Sequence, residues 1–251
     1  MKILVTFAVN AEFAAWRRRN QFHLVKRQPF PLYAGAVGRS SVRVLLTGMG
    51  NESAAEAIHW ALSAATDICI SSGFAGALRP DLRAADLLAA HVVCRAGWEL
   101  AVASDRQLFS AACELGARPV DRFITAQNVV TTVENKSALS ADADAVEMES
   151  YLILEEAARR GVRAVSVRAV SDSASTAVPF DFDAMRDARG GLRRTSLLLE
   201  LLRRPHKLGA LLRLGRDCRA ASRQLADFLD GYVQILDAGL QRPESAMAAA
   251  I

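Results

Sequence analysis

One unit of this chain leaves little freedom in how it folds. Glu147 to Arg160 is built from good helix formers, contains no Gly or Pro, and stops at Gly161. Arg163 to Val170 follows as RAVSVRAV, a β-branched apolar run of strand length that ends at Ser171-Asp172. A helix that returns into a strand apolar enough to be buried on both faces belongs to an α/β sheet. In such sheets the carboxyl ends of the strands hold the chemistry, which makes Asp172 a candidate. At the start of the helix, Val146-Glu147-Met148-Glu149-Ser150 sets two carboxylates around a methionine, between Ala145-Val146 and Tyr151 to Leu154. Two positions apart on one helix, Glu147 and Glu149 point to different sides, so at least one is not a solvated surface acid. The plain alternative is a pair of acids that compensates the helix dipole.

The rest of the chain supplies more strand ends. Ile3 to Val9 is a continuous apolar run, expected to be a buried strand. Asn10 is the expected N-cap of a helix from Ala11 to about Arg19, which puts Glu12 in its first turn at the end of that strand. Strands are expected over Phe22 to Lys26, Pro31 to Val37 and Ser41 to Thr47, the last two joined by a hairpin at Gly38-Arg39. Gly48-Met49-Gly50-Asn51-Glu52-Ser53 then opens a helix over Ala54 to Ala65, and free N–H groups there form a cradle for an anion or a ribose. It is not GxGxxG, and a tight turn without a ligand fits as well. Asp67 to Ser71 reads as a strand that runs into a glycine-rich loop, Ser72-Gly73-Phe74-Ala75-Gly76-Ala77-Leu78, where backbone approaches a ligand closely. A strand over Leu87 to Cys94, a helix over Asp105 to Gly116 and a strand over Val120 to Thr125 lead to a polar loop, Ala126 to Thr132. Beyond Asp172, Ser173 to Asp183 is irregular and placed to fold over a pocket.

Composition narrows the classes. With 251 residues, 51% of them hydrophobic, the chain buries a sizeable core and is not disordered. No apolar run reaches membrane-spanning length, and Ile3 to Val9 is too short for a signal peptide, so a cytoplasmic protein is expected. Cys69, Cys94, Cys113 and Cys218, and His23, His59, His91 and His206, are scattered without metal-ligand spacing; neither metal nor cofactor is expected. Arg189 to Arg219 holds nine Arg/Lys against Glu200 and Asp217, a charge of +7, which leaves about −3 for the rest of a chain with net charge +4. Gly191 to Ala238 is helical by pattern, with a break near Pro205 and a stop at Gly239. Residues 1–190 are therefore read as the main domain and 191–251 as C-terminal helices packed on it or extending from it. Their leucine stripe and basic residues give a solvated helix face or a surface that touches anionic membrane at its inner side. Nucleic acid is not expected, because no aromatics interleave with the basic residues.

Five stretches together carry a resemblance: ILVTFAVNAE at 3–12, TGMGNESAAEA at 47–57, SSGFAGAL at 71–78, AVEMES at 145–150 and VRAVSD at 167–172. In this order the sequence resembles the nucleoside phosphorylase/nucleosidase superfamily, especially the methylthioadenosine/S-adenosylhomocysteine nucleosidases. The resemblance implies a three-layer α/β/α fold with a central mixed sheet, here with a C-terminal helical extension. It implies that Glu149 grips the ribose hydroxyls, Met148 packs on the sugar, Asp172 protonates purine N7, and Glu12 activates the attacking water. It implies that the loop with Val129 and Val130 holds the base, that Gly50, Gly73, Phe74 and Ser171 line the site, and that the protein is a homo-oligomer acting on a nucleoside. Phosphorylases of the superfamily carry an arginine where this chain has Ser71, which favours hydrolysis over phosphorolysis. Phe74 departs from the serine usual in the nucleosidases. The lid Ser173 to Phe182 and the leucine/arginine-rich tail are similar to the hopanoid-associated phosphorylases, which implies an adenosine with a lipid 5′ group. A non-catalytic binding protein on the same fold is the alternative from another class.

Overall fold

A computed structural model describes residues 1–97, 100–182, 184–185 and 203–239. Its strands are β1 (Lys2–Phe7), β2 (His23–Lys26), β3 (Leu32–Val37), β4 (Ser40–Leu46), β5 (Ile68–Ala77), β6 (Leu87–Arg95), β7 (Ala101–Ala103), β8 (Arg118–Thr125), β9 (Ala145–Glu147) and β10 (Arg163–Asp172). Its helices are α1 (Asn10–Asn20), α2 (Asn51–Ala61), α3 (Arg106–Glu114), α4 (Val133–Leu139), α5 (Ser150–Arg159) and α6 (Leu208–Gly239), the last preceded by a 3-10 turn at Pro205–Lys207.

The strands form one mixed sheet. β1 lies between β4 and β5, parallel to both, and β10 is parallel to β5 on its other side. Farther along β5, beyond its pairing with β1, β9 joins it antiparallel at Gly76↔Val146. Because β10 also pairs β6, β6 pairs β8, and β8 pairs β9, this half of the sheet closes on itself. Strand alternation splits the core into two layers. Ile3, Val5 and Phe7 pack with Phe13 and Trp16 of α1, with Leu108 of α3, and with Leu225, Leu229 and Tyr232 of α6. Leu4, Leu45 and Cys69 face the opposite way and pack with Ile58 of α2 and Ile153 and Leu154 of α5. The result is the three-layer α/β/α sandwich around a mixed sheet.

Three expectations change. The glycine-rich stretch after Ser71 is not a loop: β5 continues through Gly73 and Phe74 to Ala77. Glu147 does not start a helix. It ends β9, the helix begins at Ser150, and Glu149 sits at the N-cap with φ −133° and ψ −29°. The two-apart rule for a helix therefore does not govern these two acids. Asn10 is the first residue of α1 and not its cap; Val9 holds the cap position. The C-terminal reading is partly visible. Residues 186–202, including Arg193, Arg194 and Leu197 to Leu202, lie outside the described residues. The break at Pro205 is present, and from Ala221 onward α6 is part of the core. No described helix is long and apolar enough to cross a membrane. Among the described residues, no group of three or more His, Cys, Asp or Glu side chains is arranged to hold a metal ion.

Candidate active site

The end of β1 and the start of α1 build the first acid position. Glu12 reaches back over its own turn, and its Oε2 accepts from the Ala8 and Val9 backbone N–H groups at 2.7 and 3.1 Å. Its Oε1 accepts from the Phe74 N–H in β5 at 2.8 Å. Three backbone donors on a buried carboxylate fix its direction. Burial pushes the Glu12 carboxyl up, against the opposing pull of Arg168 and of those three N–H groups. Gly73 makes the approach feasible. A Cβ there would lie 2.6 Å from Arg168 Nη1 and 2.7 Å from Glu12 Oε1, and its φ of +142° suits glycine.

Arg168 is the residue that the sequence reading left unassigned. It lies in the middle of β10, is 1% exposed, and its guanidinium ties the site together. Nη2 donates to Glu147 Oε2 at 2.6 Å, and Nη1 reaches Glu149 Oε2 at 3.4 Å and the Phe74 carbonyl at 3.5 Å. The hydroxyls of Ser71 and Ser150 complete its surroundings at 3.3 and 2.9 Å. The signal was present in RAVSVRAV: a cation inside a strand buried on both faces requires buried anions beside it.

Glu147 and Glu149 thus converge on one cation, but do different work. Glu147 Oε2 accepts from the Glu149 and Ser150 N–H groups at 2.9 and 2.7 Å, and Thr125 donates its hydroxyl to Oε1. Glu147 is therefore the acid that satisfies the α5 N-terminus. Glu149 instead turns toward α2, where its Oε1 accepts from the Gly50 N–H at 3.1 Å. Burial, with Glu147 and Glu12 nearby and despite Arg168, pushes the Glu149 carboxyl up to about 7.

Asp172 ends β10 just past a register shift between Val170 and Asp172. A bulge at that point re-aims the side chain. Its Oδ1 accepts from the Ser171 hydroxyl at 2.6 Å, and its Oδ2 is ion-paired with Lys136 of α4. The Gly76 Cα lets it sit close to β5, since a Cβ there would be 3.2 Å from Oδ2. Burial pushes the Cys218 thiol of α6 up to about 12, with smaller contributions from the charges of Asp172, Glu12 and Asp217. Glu12, Glu149 and Asp172 are 5%, 4% and 7% exposed, so none is splayed into solvent. Met148 is half-buried between the two glutamates, and Val129 and Val130 are half-buried in the 126–132 segment. Val130 packs on Leu78, Ile124 and Val146. Phe74 is partly buried against the α1/α6 layer. No sequence signal marked Lys136: it follows the polar loop 126–132 in a stretch, VENKSAL, that the sequence pattern assigns to no element.

A sheet that closes on itself brings Glu12 of α1, Glu147 of β9 and Glu149 at the α5 N-cap around Arg168 of β10, and sets Asp172 of β10 on Lys136. Residues 2–203 match the phosphorylase superfamily. The chain belongs to the phosphorylase superfamily, a family of enzymes. Among curated proteins none matches the sequence. The fold is shared with the 5′-methylthioadenosine/S-adenosylhomocysteine nucleosidase of Neisseria meningitidis in complex with methylthio-immucillin-A, at 20% identity and a TM-score of 0.71 over 93% of this chain and 98% of that one. It is also shared with the corresponding nucleosidase of Helicobacter pylori bound to butyl-thio-DADMe-Immucillin-A, at 17% identity and TM-score 0.73 over 93% and 98%. The native futalosine hydrolase of Helicobacter pylori matches at 17% identity and TM-score 0.72 over 93% and 97%.

Proposed function

We propose that the protein hydrolyses the N-glycosidic bond of a purine nucleoside, releasing adenine from an adenosine substituted at its 5′ position. The observation that carries the choice of water over phosphate is the charge around Arg168. Its guanidinium already faces Glu147 at 2.6 Å and Glu149 at 3.4 Å, and Glu12 is close enough to feel it. Three carboxyls around one cation disfavour a phosphate dianion and suit a water molecule that gives up a proton. Ser71, where phosphorylases carry an arginine, adds a hydroxyl and no charge.

In this reading Asp172 gives its proton to N7 as the bond from C1′ to N9 breaks, so the purine leaves neutral. Glu12 takes a proton from the water that adds to C1′, and Glu149 and Met148 hold the ribose. Gly50, Gly73, Phe74 and Ser171 line the pocket, and the Val129-Val130 backbone holds the base. Two carboxyls with opposite protonation duties are the general solution for glycosyl cleavage. Asp172→Asn is expected to lower adenine release by roughly 10²–10⁴-fold with an unchanged circular dichroism spectrum. A variant that turns over at the parent rate removes Asp172 from the acid role. Product analysis with and without inorganic phosphate tests the nucleophile: free ribose in both is expected, and ribose-1-phosphate formed only with phosphate overturns the hydrolytic reading.

The 5′ group is proposed to be apolar, an adenosylated hopane lipid by the resemblance above. Partly buried Phe74 replaces a polar residue, and the first half of α6 leaves Leu208 and Leu212 44% and 64% exposed beside exposed Arg213 and Arg216. Both features suit a substrate and an enzyme that meet at an anionic membrane surface. Adenine release across adenosines with progressively longer apolar 5′ groups is expected to rise. A preference for the free nucleoside would exclude the lipid substrate.

A further inference from the structure

Lys136 is a buried lysine that the mechanism so far does not use. It is 1% exposed, on a short helix whose N-terminus is capped by Thr132. An ammonium has three N–H donors, and here they go to the Asp172 carboxylate and to the carbonyls of Ser173 and Thr176, the last two at 2.8 Å each. The turn it holds is tight: the Thr176 N–H donates to the Ser173 carbonyl at 3.0 Å, and the two hydroxyls meet at 2.7 Å. The same segment is tied to the 126–132 loop, because the Val178 N–H donates to the Thr131 carbonyl at 2.8 Å. One cation therefore joins the strand-end acid and the first turn of the segment beyond it.

We propose that Lys136 is a positioning residue for Asp172: it is the counter-ion for the carboxylate that forms when Asp172 gives its proton to the departing purine. This rests on the nucleosidase reading above. The balance is simple. The C1′–N9 bond pair goes to the base, the Asp172 proton goes to N7, and the negative charge left on Asp172 faces the ammonium. With the proton on Asp172 the ammonium faces a neutral carboxyl; once the proton has left, it faces a carboxylate, in the ion pair that the structure shows. An interaction that strengthens as the charge develops accelerates the step. The other groups facing Asp172 do not substitute for it. Ser171 presents a neutral hydroxyl from β10, and the Cys218 thiol of α6, pushed up to about 12 by burial, stays neutral.

The test is the kinetics of adenine release by Lys136→Met and Lys136→Arg beside the parent. Lys136→Met is expected to lose about 10²-fold in kcat with KM nearly unchanged, because the cation acts on charge that develops only in the transition state. Lys136→Arg, which keeps the charge, is expected to recover most of that loss. An active parent with an unchanged kcat in folded Lys136→Met, or an equal loss in both variants, overturns the proposal and leaves Lys136 as a clamp on the 173–176 turn. A parent that releases no adenine from any adenosine overturns the nucleosidase reading and this inference with it. Should Lys136→Met fail to fold, Lys136→Gln, which keeps a donor for the Ser173 and Thr176 carbonyls without the charge, is read in its place with the same expected loss in kcat.

Discussion

At the residue scale, Gly73 is where the site tolerates least. The Glu12 carboxylate and the Arg168 guanidinium both come closer to its Cα than a side chain would allow. Gly73→Ala is expected to push one of them aside and to cost about 10²-fold in kcat, since small displacements of reacting groups carry penalties of that size. Steady-state kinetics on folded protein checks it, and a parent-like rate would show that the pair does not need this spacing. Glu149 makes a prediction about pH. Its carboxyl lies at about 7 in the fold against an ordinary 4.5, so the folded state binds the proton more tightly. Its stabilising contribution is fully present below 4.5 and is lost as pH rises through about 7. The melting temperature of the parent is expected to fall across that interval, and Glu12, also raised, adds to the fall. Glu149→Gln is expected to flatten the curve, a difference on the order of 1–3 kcal/mol between its ends. An identical slope in parent and variant would assign the titration to another group.

At the element scale, α6 determines where α1 sits, and α1 carries Glu12. Asp230 of α6 accepts from Trp16 Nε1 at 2.7 Å, Asn20 Nδ2 at 2.6 Å and Arg19 Nη1 at 3.0 Å, and Ser222 donates to the Glu12 carbonyl at 3.0 Å. Asp230→Ala leaves the indole and amide donors without their acceptor and is expected to cost about 1–3 kcal/mol, read as a lower melting temperature. Activity at 25 °C is expected to persist, since the three N–H groups that aim Glu12 are untouched. A melting temperature equal to the parent's would show that packing alone seats α1.

At the scale of the whole molecule, the basic C-terminal surface and the core share one helix. Ending the chain before Gly191 removes Leu225, Leu229, Tyr232 and Val233 from the core, and is expected to yield insoluble protein. Membrane contact is therefore tested by substitution on the exposed half of α6. Reversing Arg213, Arg216 and Arg219 to Glu is expected to lower co-sedimentation with anionic vesicles by at least about 10²-fold, at roughly 1 kcal/mol for each basic residue near the surface. Equal sedimentation of parent and variant removes the membrane reading.

The sequence by itself determined the layers and most of the strand ends, because burial on both faces writes itself as apolar runs such as Ile3 to Val9 and Arg163 to Val170, and turns write themselves as glycine. It also marked Glu12, Glu149 and Asp172, since carboxylates in apolar settings need a reason to be there. Only the tertiary structure decided how those acids are partnered. Arg168 meets Glu147 and Glu149 because β9 enters antiparallel to β5 while β10 runs parallel to it. Lys136 meets Asp172 across 36 positions of chain. Local periodicity carries no record of a contact between segments that distant; closure of the sheet brings them together.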